Sequence, residues 1–324
     1  MLLAGDVGGT KALVGLFLDG PGRPKPVDVR VFSTRDYAGL EDVVEAFLTA
    51  QSSPVPPLTA ASFGVAGPII NQVARLTNIS WVVDASVLAS RFAIPNVTLL
   101  NDLEAMAYSV TVLEPGELAV VQAGHAVPTG NAALIAAGTG LGEALLHYVG
   151  GRLIPSPTEG GHADFAPRTA DEVALLGHLT ARFGRAEYEH VISGPGLSNV
   201  HAFTHPDGCA ACGVEAGQDA APSRISAAAL ERRCPSCVRA LEIFVSVYGA
   251  ETGNLALHSV ATAGAFIGGG IAPKILPALQ DGRFIKAFCA KGPMEALLSR
   301  VPVSVILNDR AGLLGAAVHA GTQR

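Results

Sequence analysis

The chain has 324 residues, of which 49% are hydrophobic and 15% charged, with a formal net charge of -6. A chain of this length and apolarity buries a substantial core and leans toward two domains rather than toward disorder. Its acidic balance provides no field for a nucleic-acid backbone or an anionic membrane surface, which leaves small-molecule chemistry as the expectation.

An apolar strand opens the chain and runs into Gly5-Asp6-Val7-Gly8-Gly9-Thr10, then directly into a second apolar run at 12–18. Gly8 and Gly9 tolerate positive φ and leave backbone N–H groups bare, so a phosphate can approach closely, with the Thr10 hydroxyl as a further donor. Asp6, at the strand end, is a candidate to hold Mg2+ through water. Rossmann and Walker loops open a helix, whereas a strand follows here, so neither fits. An ordinary Gly-Gly hairpin is the alternative. The same polar turn interrupts the apolar core that a secretory signal needs, and the expected location is the cytoplasm.

Strand-like runs follow at 29–32, 60–64, 97–100, 132–136, 263–267 and 303–307, with helical periods at 40–50, 85–91, 103–110, 170–183, 237–259, 274–280 and 311–320. This is an α/β pattern. Residues 134–146 echo the N-terminus: a strand, the turn Gly138-Thr139-Gly140, and another strand. Two such turns suggest two duplicated halves, with a nucleotide lying between them and one turn from each on its phosphates. The stretch 252–273 carries no charged residue and is long enough to span a bilayer, but its glycines, Asn254 and His258 predict a buried soluble core instead.

Several polar groups stand where chemistry is possible. Asn101 and Asp102 follow the strand ending at Leu100 and lead into a helical run, which puts a carboxylate at the carboxyl end of a sheet strand, where ligand clefts form. Both residue types are equally favoured helix N-caps. Further on, Glu159, His162 and Asp164 surround Gly160-Gly161, and Glu189-His190 precede Ser193-Gly194-Pro195-Gly196. Carboxylates accept from sugar hydroxyls and imidazole both donates and accepts, so such a cluster suits a polyhydroxylated ligand. A metal site or solvated loop charges are the competing explanations. Gly268-Gly269-Gly270 closes an apolar strand before a helix, allowing a flat adenine ring to approach the backbone, or simply tight strand–helix packing.

Taken in order, GDVGGTK, TNISW, LLNDLEAMA, GTGLG, EGGHADFAP, ISGPGL, YGAETGNLAL and GGGIAPKIL resemble the bacterial glucokinases of the hexokinase, actin and heat-shock ATPase superfamily over nearly the whole chain. The resemblance implies a two-domain actin-like (ribonuclease H-like) ATPase fold with duplicated mixed-sheet domains around a cleft. Residues 1–112 with 303–324 would form the smaller domain and 113–302 the larger, which carries a cysteine-rich insert at 205–237. It further implies that Gly5, Asp6, Val7, Gly8, Gly9 and Thr10, together with Gly138, Thr139 and Gly140, grip the phosphates of ATP, while Gly268, Gly269 and Gly270 flank the adenosine. Asn78, Asn101, Asp102, Glu159, His162 and Glu189 would hold glucose, with Asp102 as general base.

The implied reaction is transfer of the γ-phosphoryl group of ATP to the C6 hydroxyl of glucose, with Mg2+ and in a homodimer. Phosphoryl transfer asks a protein mainly for positioning, charge neutralisation and one oriented carboxylate, and these residues offer all three. The rivals are a kinase for mannose, fructose or an amino sugar, a donor such as polyphosphate or ADP, a superfamily ATPase working as a binding machine, and a sugar-sensing regulator. A phosphate hairpin at residue 5 leaves no room before it for a DNA-binding helix pair, which counts against the regulator.

Two CxxC pairs, Cys209 with Cys212 and Cys234 with Cys237, separated by 21 residues, depart from the glucokinase pattern. Four thiolates so arranged fit a tetrahedral structural Zn2+, against reduced thiols or a reversible disulfide. The fifth cysteine, Cys289, stands alone and is expected to pack.

Overall fold

Leu2 and Ala4 alternate with Leu3 along β1 (Leu2–Val7), and the two sets are buried in different clusters, as the period of two along a strand requires. β1 pairs antiparallel with β2 (Lys11–Leu18), which pairs antiparallel with β3 (Lys25–Ser33). After α1 (Leu40–Thr49), β4 (Ala60–Val65) lies parallel to β1. A small sheet of β5 (Ile69–Ile70), β6 (Val73–Arg75) and β7 (Val82–Asp84) leads into α2 (Ala85–Phe92), whose N-cap Asp84 accepts the Ser86 N–H. β8 (Val97–Asn101) then adds parallel to β4 and passes without a loop into α3 (Asp102–Ser109). The main sheet has the order β3-β2-β1-β4-β8.

One face of this sheet packs Leu3 and Phe63 against Val43 and Phe47 of α1 and Leu88 of α2. The other packs Leu2, Ala4 and Leu100 against Ala105 of α3 and Leu313, Ala316 and Ala317 of the C-terminal helix. Burying a side chain such as Phe63 contributes about 1.5–3 kcal/mol.

The second sheet contains β9 (Leu118–Gln122), β10 (Ala132–Ala137), β11 (Leu141–Val149) and β12 (Arg152–Thr158). α4 (Ala170–Phe183), α5 (Gly194–Thr204), the hairpin β13 (Gly208–Cys209) and β14 (Val214–Glu215), α6 (Pro222–Leu230) and the 25-residue α7 (Pro235–Ser259) follow. The chain returns to the sheet in β15 (Gly264–Gly268), passes through the short helices α8 (Leu276–Leu279), α9 (Arg283–Cys289) and α10 (Glu295–Leu298), and finishes the sheet with β16 (Val303–Ile306). The order is β12-β11-β10-β15-β16-β9, and its core joins Ile135 and Ile267 to Phe244 and Tyr248 of α7 and Phe284 and Phe288 of α9. The last helix, α11 (Ala311–Gly321), belongs with the first sheet.

The computed structural model describes residues 1–20, 22–76 and 79–323, and the chain divides into two compact units, 1–115 with 308–324 and 116–307. Both units share one plan, an antiparallel three-stranded meander to which two parallel strands are added, which is the duplication the two glycine turns suggested. The return to the first unit begins at Asn308 rather than at the expected 303, because Val303–Ile306 pairs with β15 and β9 and buries Val303 and Val305 in the second sheet. The uncharged stretch 252–273 is divided between the end of α7 and β15, and among the described residues no helix is long and apolar enough to cross a membrane.

Gly315 of α11 faces α3 so closely that a Cβ there would overlap the Ala105 carbonyl oxygen. In an open helix Gly→Ala gains about 1 kcal/mol, but here the overlap is with backbone that cannot swing aside. Gly315→Ala is therefore expected to lose about 1–3 kcal/mol in denaturant unfolding; a stabilised variant would show that the two helices are not in contact.

Candidate functional site

In the first unit the turn between β1 and β2 is held from within. The Gly8 N–H donates to the Lys11 carbonyl at 3.0 Å, and the buried Thr34 donates its hydroxyl to the Gly9 carbonyl at 3.0 Å and its N–H to the Thr10 carbonyl at 3.2 Å. Thr10 and Lys11 stay exposed. Gly8 does not use the positive φ expected of it; a Cβ there would meet only the Lys11 carbonyl at 3.5 Å. Nor is its N–H bare as expected, being committed to Lys11; what glycine leaves open here is the space a side chain would fill.

Asp6 is the penultimate residue of β1. In the sheet register Asp6 stands opposite Gly64 of β4, and Gly64 stands opposite Leu100 of β8. A side chain at 64 would come within 2.8 Å of the Ala105 Cβ and 3.7 Å of the Asp102 Cα. Glycine at 64 thus lets the start of α3 close over the strand ends and brings the Asp102 charge to bear on Asp6. Gly312, in the first turn of α11, packs on the Asp6 carboxylate in the same way, with an added Cβ only 2.7 Å from Oδ2. Burial first, and then the Asp102 charge, push the Asp6 carboxyl up from 3.8 to about 6, while Lys11 pulls it down.

Asp102 is exposed and occupies the first position of α3. The Leu103 N–H donates both to Asn101 Oδ1 at 3.0 Å and to Asp102 Oδ1 at 2.8 Å. Asn101 is the helix cap, and Asp102 is a carboxylate fixed by one oxygen at the positive end of a helix. The capping role read from the sequence thus falls to Asn101, with Asp102 beside it at the first position of the helix.

In the second unit the turn between β10 and β11 repeats the first. Gly138 donates its N–H to the Gly140 carbonyl at 2.9 Å and accepts from the Gly194 N–H at 2.8 Å, and Thr139 is exposed. Glu189, in a single turn at Tyr188–His190, accepts the Leu141 N–H at 2.8 Å, and a Cβ at Gly140 would come 2.6 Å from its carboxylate. Glu189 therefore holds the glycine turn, a role the sequence did not reveal.

The loop bearing Glu159 and His162 is tied to the same turn. Tyr188 donates its N–H to Ala163 at 3.1 Å, Arg185 forms an ion pair with Asp164 at 2.8 Å, and Arg185 also donates to the His162 carbonyl. His162 Nδ1 lies 3.0 Å from Glu187 Oε1, and this hydrogen bond raises the affinity of the imidazole for its proton. Glu159 and His162 are exposed. Sequence reasoning passed over Glu187; its only signal was a carboxylate two positions before Glu189. Ligand atoms of His162, Glu187 and Glu189 lie within 4.8 Å of one another, close enough for a cation. Both Glu187 oxygens are already engaged, one with His162 and the other with Arg185 at 3.2 Å, which suits a polar rim better than a metal centre.

The glycine triplet divides. Gly269, at φ +83°, packs on the backbone of β10, where any Cβ would overlap the Ala137 carbonyl, whereas a Cβ at Gly270 would meet nothing. Tight packing explains Gly269, and only Gly270 leaves open backbone. Beneath the Gly160-Gly161 loop, Glu143 is 2% exposed; burial and then Glu251 push its carboxyl up to about 8. Asn78, expected beside the sugar, lies outside the described residues.

The sequence matches the family model described as Glucokinase over residues 3–323. It is 38% identical to a glucokinase of Nostoc punctiforme over 99% of this chain and 98% of that one. Against a glucokinase of Mesorhizobium japonicum it is 35% identical over 98% of this chain and 91% of the other. Among solved structures, a glucokinase from an Antarctic psychrotroph superposes with a TM-score of 0.90 at 29% identity, covering 99% of both chains. A ROK family glucokinase from Streptomyces griseus, in complex with glucose and AMPPNP, shares the fold with a TM-score of 0.62 at 22% identity over 99% of both chains.

The crowding at Asp6 has a measurable sign. A carboxyl raised in the folded state binds its proton more tightly there than in the unfolded chain, so stability falls as pH rises from about 4 to about 6 and stays reduced above that window. Asp6→Asn removes the buried charge and with it the repulsion from Asp102. At neutral pH the variant is expected to unfold about 1–2 kcal/mol later than the parent, with the gain fading below pH of about 4. Equal melting temperatures at neutral pH would show that burial and the Asp102 charge do not raise the Asp6 carboxyl in the folded protein.

Proposed function

The chain belongs to the glucokinase family, and from that premise we propose how it moves the γ-phosphoryl group of ATP to the C6 hydroxyl of glucose, giving glucose 6-phosphate and ADP: Asp102 is the general base. As O6 bonds to the γ-phosphorus its proton passes to the Asp102 carboxylate, and the bond between the γ-phosphorus and the β,γ-bridging oxygen breaks to release ADP. The observation that carries this role is the seat of Asp102, an exposed carboxylate held by the Leu103 N–H at the carboxyl end of β8. A base so anchored loses little orientational freedom when the hydroxyl arrives.

The turns at Gly8-Gly9-Thr10 and Gly138-Thr139-Gly140 are assigned to the phosphates, with Thr10 and Thr139 as exposed hydroxyl donors. Gly5 and Val7 set the strand that carries the first turn; a Cβ at Gly5 would come 2.5 Å from the Phe63 ring. Gly270 offers open backbone to the adenosine, while Gly269 packs on Ala137 of β10 and Gly268 pairs with Ala136 in the ladder. Two neighbouring carboxylates, one of them driven toward protonation, are a hard-oxygen donor set that fits Mg2+, and Asp6 would hold the ion through water. When bound with ATP, the ion supplies neutralisation of the charge on the phosphates.

Glu159 and His162 are assigned to sugar hydroxyls, since both are exposed on a loop braced by Glu187 and Arg185. Asn101 has committed its side-chain oxygen to the helix cap, so its amide NH2 is what it offers to the sugar. Glu189 serves the same end by holding the second glycine turn.

In a coupled assay with glucose and ATP, Asp102→Ala is expected to lose about 10²–10⁴-fold in turnover while glucose binding, read by calorimetry, persists. Turnover close to the parent's would remove Asp102 from the role of base.

A further inference from the structure

The segment between α5 and α7 gathers six soft ligand atoms that phosphoryl transfer does not use. Cys209 ends β13, Cys212 follows in the next turn, and Cys234 caps α7 with Cys237 in its first turn. His201 and His205, one helical turn apart at the end of α5, stack their rings at 4.0 Å. The Cys237 sulfur lies 3.7 Å from that of Cys209 and 3.6 Å from that of Cys212. His205 Nε2 is 3.2 Å from the Cys234 sulfur and 3.7 Å from that of Cys237. Ligand atoms of His205, Cys209, Cys234 and Cys237 all fall within 4.8 Å of one another, as do those of His201, Cys209, Cys212 and Cys237.

These separations discriminate between chemistries. A disulfide requires sulfurs about 2.0 Å apart, and all four cysteines are free. A zinc–sulfur bond of about 2.3 Å puts neighbouring sulfurs of a tetrahedral site about 3.8 Å apart, close to the distances from Cys237 to Cys209 and Cys212, whereas Cys212 and Cys234 belong to different sets and draw together only as the ion binds. Gly213, at φ +65°, turns the chain away immediately after Cys212. Independently, His201 is 1% exposed and neither of its ring nitrogens has a hydrogen-bond partner, an unsatisfied polar group aimed at the same sulfurs.

We infer that Cys209, Cys212, Cys234 and Cys237 hold one structural Zn2+, with His205 against its thiolates as an outer partner. Four thiolates outweigh the charge of the ion, and two guanidinium groups stand by to offset the excess: Arg224 donates to the Cys212 carbonyl at 3.1 Å and Arg233 to that of Ala211 at 3.5 Å. The thiol protons are released to solvent as the ion binds. The metal ties the two-residue strands of β13 and β14, which are too short to be stable alone, to the N-terminus of α7. Its binding energy then becomes folding energy for the insert and for the helix that runs from it into the core.

Full-length protein purified without added metal and washed with EDTA is expected to carry one zinc per chain by mass spectrometry of the metals. Replacing zinc by Co2+ should give the near-ultraviolet sulfur-to-metal band and the visible bands of a tetrahedral four-thiolate site. Cys212→Ser with Cys237→Ser should abolish both signals, whereas His205→Ala should keep a full zinc equivalent. If the double variant does not fold, titration of the parent with a mercurial decides, four thiols being consumed for each zinc released. Substoichiometric zinc, a cobalt form without thiolate bands, or a His205→Ala protein as empty as the double variant would each overturn the assignment. None of these readouts depends on kinase activity.

Discussion

Two like charges at one sheet edge govern the first unit. Asp6 and Asp102 stand at the carboxyl ends of β1 and β8, with only the hydrogen of Gly64 on the strand between them and Gly312 closing on Asp6 from α11. Larger residues at 64 or 312 would relieve the crowding by pushing α3 or α11 away. The fold accepts instead a carboxyl whose proton is held up to about pH 6. Such an arrangement is unfavourable while both carboxylates are charged, and the proposed cation with its phosphates would relieve it.

The second unit applies the same plan to different ends. Its glycine turn has Glu189 on the Leu141 N–H where the first has Thr34 on the Gly9 carbonyl, so one duplicated hairpin is braced by a carboxylate and the other by a hydroxyl. Around Glu189, the ties among Ala163, Asp164, Arg185, Glu187 and Tyr188 convert an exposed loop into a rigid mount for Glu159 and His162. Rigidity of this kind is what lets a polar rim discriminate one hydroxyl pattern from another.

The long amphipathic and apolar runs were legible because their periodicity is set by burial alone: β1, β2, β4, β10, α4 and most of α7 fall where their patterns predict. Elements whose identity depends on tertiary context were not. α5 opens on Gly194-Pro195-Gly196, which reads as a turn, yet Ser193 caps it through the Gly196 N–H and Leu197 and Val200 anchor it in the core. The 303–306 strand was legible as a strand but not as a member of the second sheet, since a four-residue apolar run carries no address. At the candidate site, Asp102 and the two turns stand out in motif and position, whereas Glu187 and the bracing contact of Glu189 arise between segments that no local pattern encodes.

A crystal structure of the full chain with glucose, Mg2+ and a non-hydrolysable ATP analogue tests the central claim most directly. The expected result is an Asp102 carboxylate oxygen within about 2.6–3.2 Å of the C6 hydroxyl, with the terminal phosphoryl group on the other side of that hydroxyl and the metal adjoining Asp6. A C6 hydroxyl paired with a different base, with Asp102 turned toward solvent, would contradict it.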